Sequence, residues 1–138
     1  MTSILSVTVE SDDLAGAVAF WRTVFDAPEP AVLTWAPGSG SAFFELADGT
    51  RLIVSAPRRT PPAEWLGVEL LTADPERERH RLSVSGLTVS DVYETDGGSS
   101  ACVVTTPDGQ KFRIGTRWPL PITDADRSGE VPRERTLP

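Results

Sequence analysis

Residues 47–55 read ADGTRLIVS and residues 107–115 read PDGQKFRIG. Each phrase opens its strand-like run with Asp-Gly, a strong hairpin signal when it lies between two such runs. The two dipeptides, Asp48-Gly49 and Asp108-Gly109, stand 60 positions apart. In the second phrase, strand alternation puts Lys111 and Arg113 on one face, so an acidic chain aims two cations the same way.

The match continues upstream. Val7-Thr8-Val9 before Asp12-Asp13 resembles Val68-Glu69-Leu70 before Asp74-Pro75, again about 60 residues on. Two copies at one period indicate a duplicated module. In the first copy, residues 4–10 read as a strand, and Asp12 caps a helix running to about Phe25. Leu14, Val18, Trp21 and Phe25 recur at helical spacing as an apolar stripe, which marks Trp21 as core. Pro28 and Pro30 end the helix, and strands follow near 31–36, 41–46 and 50–56. In the second copy a strand spans 66–72, and Asp74 with Pro75 starts a helix whose sequence, ERERHRL, is mostly polar. Strands near 88–94, 101–105 and 110–116 complete the same βαβββ order. The Pro- and Arg-rich stretch 57–64 joins the copies, and 118–138 reads as an irregular tail rich in Pro and charge.

The 138 residues suffice for one domain with a real core, and 39% hydrophobic with 24% charged residues is ordinary for a globular protein. No apolar run is long enough to cross a bilayer, and the N-terminus lacks the pattern of a secretory signal. A net charge of −7 and a pI near 4.6 argue against binding nucleic acid or an anionic membrane. Cys102 is the single cysteine, so no intrachain disulfide forms, which fits a reducing cytoplasm.

Paired βαβββ modules closed by such hairpins resemble the vicinal oxygen chelate superfamily, the glyoxalase, bleomycin-resistance and extradiol-dioxygenase fold. ILSVTVESDDLAGAVAFWRTVF is similar to its opening strand and helix, and TPDGQKFRI to its closing phrase. The resemblance spans roughly residues 3–117, as one module over 3–57 and a second over 65–117. It implies an α+β fold in which two modules form a cup-shaped mixed sheet, with helices outside and a ligand cavity within. It implies a homodimer as well. In enzymes of this kind a His on a first strand and a Glu on a last strand hold a divalent metal. Those positions fall here on Ser6, Ile53, the neighbourhood of Gly67, and Arg113. None suits such an ion, and a guanidinium repels it. His80 lies between Arg79 and Arg81 on the polar helix and reads as a solvated surface residue, and Cys102 reads as a buried thiol. No Ser-His-Asp pattern, phosphate loop or dinucleotide fingerprint is present.

Alternation then sorts the strands. The side away from the helices should carry Ser6, Thr8 and Glu10, then Arg51, Ile53 and Ser55, then Glu69 and Leu71, then Lys111 and Arg113. Phe43 and Glu45 join them, with Trp35 and Tyr93 at the rim. We therefore expect a metal-independent, cofactor-free site for a small aromatic or polar molecule, contacted by Ser6, Thr8, Trp35, Phe43, Arg51, Ile53, Glu69, Tyr93 and Arg113. Sequestration of a drug or natural product is its most concrete form. Arg113 serves there either as a donor fork for a ligand anion or as an ion-pair partner of Glu69 or Glu45. A metal-free isomerase or cyclase using Arg113, Glu69 or Tyr93 is the alternative, and a degenerate protein-interaction module is a further one. No catalytic residue is assigned.

Overall fold

The computed structural model describes residue 2 and residues 4–116, so the tail read at 118–138 lies outside the described residues. Two helices and two mixed sheets of four and five strands make an α+β protein. The described chain forms two compact units. One comprises residues up to Leu66 together with Thr105–Lys111, and the other Gly67–Val104 with the chain from Phe112.

In the first unit, β1 (Ser6–Glu10) leads into α1 (Leu14–Phe25), then β2 (Ala31–Ala36), β3 (Ser39–Glu45) and β4 (Arg51–Ala56). The order across the sheet is β1-β4-β3-β2, with β1 parallel to β4 and the other pairs antiparallel. Parallel pairing of β1 with β4 needs a crossover, and α1 begins it by packing on β3 and β4. Asp13, not Asp12, caps α1, accepting from Gly16 N at 3.1 Å. Asp12 instead accepts from the Arg58 backbone N–H. The buried stripe is also shifted from the one read in sequence. Ala17, Phe20, Trp21 and Val24 are buried, while Leu14, Val18 and Phe25 are only half-buried. Small Ala17 lets the helix lie close to the sheet, and Trp21 packs edge-on against Phe20 with ring centroids 5.1 Å apart.

The second sheet runs β5-β9-β8-β6, from β5 (Trp65–Leu71), β6 (Thr88–Val89), β8 (Ser100–Thr105) and β9 (Lys111–Gly115), with β7 (Tyr93–Glu94) paired to β8. Its helix α2 (Pro75–Val84) has Asp74 as N-cap, accepting from Arg77 N at 3.1 Å, with proline in the first turn. The single strand expected at 88–94 is two short ones. Ser90 Oγ accepts the Val103 N–H at 2.9 Å, so a hydroxyl takes a donor that a continuous ladder would use. Leu5, within the strand read at 4–10, precedes β1 and is 76% exposed.

The two Asp-Gly hairpins share the same backbone bonds. Gly49 N donates to Leu46 O and Gly109 N to Thr106 O, closing a four-residue turn in each. Leu46 N then donates to Thr50 O and Thr106 N to Gln110 O. Both glycines sit at positive φ, 88° and 87°, where a Cβ is strained. The first strands are less alike. Arg51 N–Leu5 O and Ser11 N–Ser55 O bracket β1 against β4, while Lys111 N–Glu64 O and Thr72 N–Gly115 O bracket β5 against β9. The bracketed part of β5 is two residues longer than that of β1, while the β4 and β9 segments are equal. A simple offset from the first copy therefore loses register somewhere along β5 between Glu64 and Thr72.

Candidate functional site

On β9, Phe112 and Ile114 are buried, which leaves Lys111, Arg113 and Gly115 on the other face. Each cation has an acidic partner. Lys111 Nζ lies 3.3 Å from Glu64 Oε2 and 5.9 Å from the Trp65 ring centroid. Arg113 Nη2 lies 3.2 Å from Glu69 Oε1. The Arg113 side chain is 18% exposed and that of Glu69 62%, so the guanidinium is the anchored member of the pair.

The Arg113–Glu69 pair borders a solvent-open cleft of about 280 Å³ within the second unit. Leu71, Ala101 and Gly115 give it apolar surface, and Thr95, Ser99, Ser100 and Thr116 contribute hydroxyls. Local hydrogen bonds arrange the hydroxyls. Thr116 Oγ1 accepts from Ser100 N at 3.0 Å, and the Thr95 and Ser99 hydroxyls bond each other. A Cβ on Gly115 would stand 3.0 Å from both Ala101 Cβ and Ser100 O, so glycine lets β8 and β9 close up at the cleft. These hydroxyls were missed in the sequence. Two of them, Ser99 and Ser100, had a local signal in DGGSS at 96–100, where the turn Asp96–Gly98 leads the chain into β8 with Gly97 and Gly98 both at positive φ.

The other expected residues take defined places. Ser6 pairs with Arg51 and Thr8 with Ile53 across β1 and β4. Phe43 and Glu45 on β3 stand opposite Ile53 and Arg51. Ser6, Thr8, Phe43, Arg51 and Ile53 thus share one face of the first unit's sheet, where Arg51 Nη2 meets Glu45 Oε1 at 3.2 Å. One row on, Ser41 and Ser55 hydroxyls bond at 2.8 Å. Glu10 accepts from Thr60 Oγ1 at 2.9 Å and from Arg59 N, and these bonds, the Thr60 hydroxyl first, hold its carboxyl below the usual range. Trp35 is 60% exposed on the outermost strand of that sheet, at the irregularity between Thr34 and Ala36. Tyr93 pairs with Ala101, which puts it on the cleft side of the second sheet by the pleat. Its hydroxyl is buried with no hydrogen-bond partner among the described residues.

His80 is exposed. Cys102 is fully buried, and burial pushes its thiol up to about 11. Among the described residues no three His, Cys, Asp or Glu side chains cluster as metal ligands would. No described helix is long and apolar enough to cross a membrane.

No protein-family model and no curated protein matches the chain. Solved structures do match it. A lactoylglutathione lyase from Agrobacterium tumefaciens superposes with a TM-score of 0.64 at 20% identity, covering 84% of this chain and 94% of that one. A glyoxalase/bleomycin resistance protein from Catenulispora acidiphila gives 0.64 at 19%, covering 84% and 99%. A fosfomycin resistance protein, FosX, from Listeria monocytogenes, solved with manganese(II), gives 0.59 at 17%, covering 93% and 98%. The fold is therefore the one these glyoxalase and resistance-protein structures share.

Proposed function

We propose that the chain binds a small aromatic or polar organic molecule in the cleft beside Arg113, without a metal ion. One observation carries this reading: an arginine with 18% of its side chain exposed stands with several hydroxyls beside apolar surface in an open cleft of about 280 Å³. Apolar walls with a few placed polar groups are what a small-molecule site requires, and the volume suits a small ligand. The FosX relative was solved with manganese(II). The positions at which the resemblance would put such an ion hold Ser6, Ile53, the Gly67 region and Arg113. Hydroxyl, alkyl and guanidinium groups do not make a site for a divalent transition metal, so no step is assigned to one. The bound molecule is held rather than converted, with drug or natural-product sequestration as the corresponding role.

Three measurements test this reading. Elemental analysis of purified protein is expected to give far less than one transition-metal ion per chain, and a stoichiometric metal overturns metal independence. A thermal-shift screen of small aromatic compounds should yield ligands of micromolar affinity that Arg113→Ala weakens at least tenfold, the scale of one charged hydrogen bond (~1.5 kcal/mol or more). A ligand indifferent to Arg113 places the site elsewhere. Recovery of a chemically altered ligand after incubation would replace sequestration with the metal-free isomerase or cyclase reading.

A further inference from the structure

We propose that Glu69 is an intramolecular competitor in this cleft. Its carboxylate occupies the Arg113 guanidinium as a stand-in for a ligand carboxylate, and an aromatic carboxylate binds by displacing it. The proposal rests on the reading of the cleft as a small-molecule site and adds the ligand's charge and the means by which the site is masked.

The argument starts from the asymmetry of the pair. Arg113 sits on β9 between buried Phe112 and Ile114, and only 18% of its side chain is exposed. Such a group stays where the strand puts it, and a mostly buried cation needs an anion beside it. Glu69 has 62% of its side chain exposed and lies on β5, where every second residue is exposed. An exposed carboxylate recovers most of its hydration when it swings out, and pairs of this kind are worth only about 0–1 kcal/mol. The exchange of one carboxylate for another at Arg113 is therefore close to balanced in charge. The ligand's gain comes from the apolar surface of Leu71, Ala101 and Gly115 that its ring covers.

The same asymmetry selects the sign of the ligand. A cation would have to pair with Glu69 while standing against a guanidinium that cannot leave. An anion replaces the member of the pair that can move. A carboxylate also matches the planar donor fork of arginine, and the Ser100 and Thr116 hydroxyls border the same cleft. The chain's net charge of −7 opposes anions in general, so Glu69 is the nearest part of a field that holds affinity down.

The test uses 2-naphthoate and its neutral counterpart 2-naphthamide, titrated by fluorescence against the full chain, Glu69→Gln, Arg113→Gln and Arg113→Lys. Glu69→Gln removes the competitor and one negative charge, and should raise the preference for naphthoate over naphthamide by about tenfold. Arg113→Gln should abolish the preference, and Arg113→Lys, which keeps charge without the fork, should retain only part of it. Melting curves of each variant establish that it is folded. A preference that falls or stays level in Glu69→Gln, with Arg113→Gln still weakening naphthoate, overturns the competitor and leaves the cleft reading intact. Failure of both probes to bind any variant overturns both.

Discussion

The guanidinium of Arg58 donates to Asp108 Oδ2 at 2.8 Å and to Gln110 Oε1 at 2.7 Å, fifty residues along the chain. The Arg58 side chain is only 10% exposed. Gln110 is buried and passes the connection on, its Nε2 donating to Ala63 O at 3.0 Å. The Pro- and Arg-rich linker is thus fastened at two points to the second Asp-Gly hairpin, which is why Thr105–Lys111 falls in the first unit. Arg58→Ala strips a buried amide and a carboxylate of their donor. It should cost about 2–3 kcal/mol in urea unfolding, and Arg58→Lys should recover part of that. A loss under about 0.5 kcal/mol would mean the contact is a surface pair of no consequence.

Tyr93 offers the opposite case, a side chain that improves when shortened. Its hydroxyl is buried without a partner among the described residues, so nothing among them offsets the desolvation of this polar group. Tyr93→Phe should stabilise the chain by about 1 kcal/mol, seen as a melting temperature higher by about 4 °C. An unchanged or lower melting temperature shows that the hydroxyl is satisfied after all.

Cys102 ties stability to alkaline pH. Burial raises its thiol from 9.0 to about 11 in the folded chain. A folded-state value above the unfolded one means that the contribution is fully present below the unfolded value and is lost as pH rises through the folded one. Stability should accordingly decline between about pH 9 and pH 11, and Cys102→Ser should show a shallower decline over that window. Iodoacetamide at pH 8 should label native protein at least a hundredfold more slowly than urea-unfolded protein, as a fully buried thiol requires. Rapid native labelling would contradict that burial.

Most of the fold was legible because its signals are local and occur twice. Asp-Gly turns, helix caps and period-two runs at one spacing specify βαβββ without reference to distant residues. What escaped the sequence was set by tertiary pairing. The buried face of α1 is fixed by how closely Ala17 allows the sheet to approach, which a stripe of large residues does not reveal. The break between β6 and β7 depends on one Ser90 hydroxyl reaching β8. At the site, alternation placed Arg113 opposite to Phe112 and named Glu69 as its possible partner, and the pair forms. Of the cleft hydroxyls, Ser99 and Ser100 follow a glycine turn that marks a turn but has no periodicity to say which way they face, and Thr95 and Thr116 stand at strand ends where alternation stops. Trp35 was marked as a rim residue by residue type alone, and its exposure reflects its place on an outer strand.

That outer strand also sets how the protein behaves in bulk. β2 ends the order β1-β4-β3-β2, all six of its residues are exposed, and Val32, Leu33 and Trp35 are apolar. It lacks the lysines and prolines that usually keep such a strand from pairing with its like. Mutual repulsion between molecules of net charge −7 opposes such pairing at neutral pH. Colloidal stability should fail first near the pI of about 4.6, where light scattering will rise before the fold itself melts.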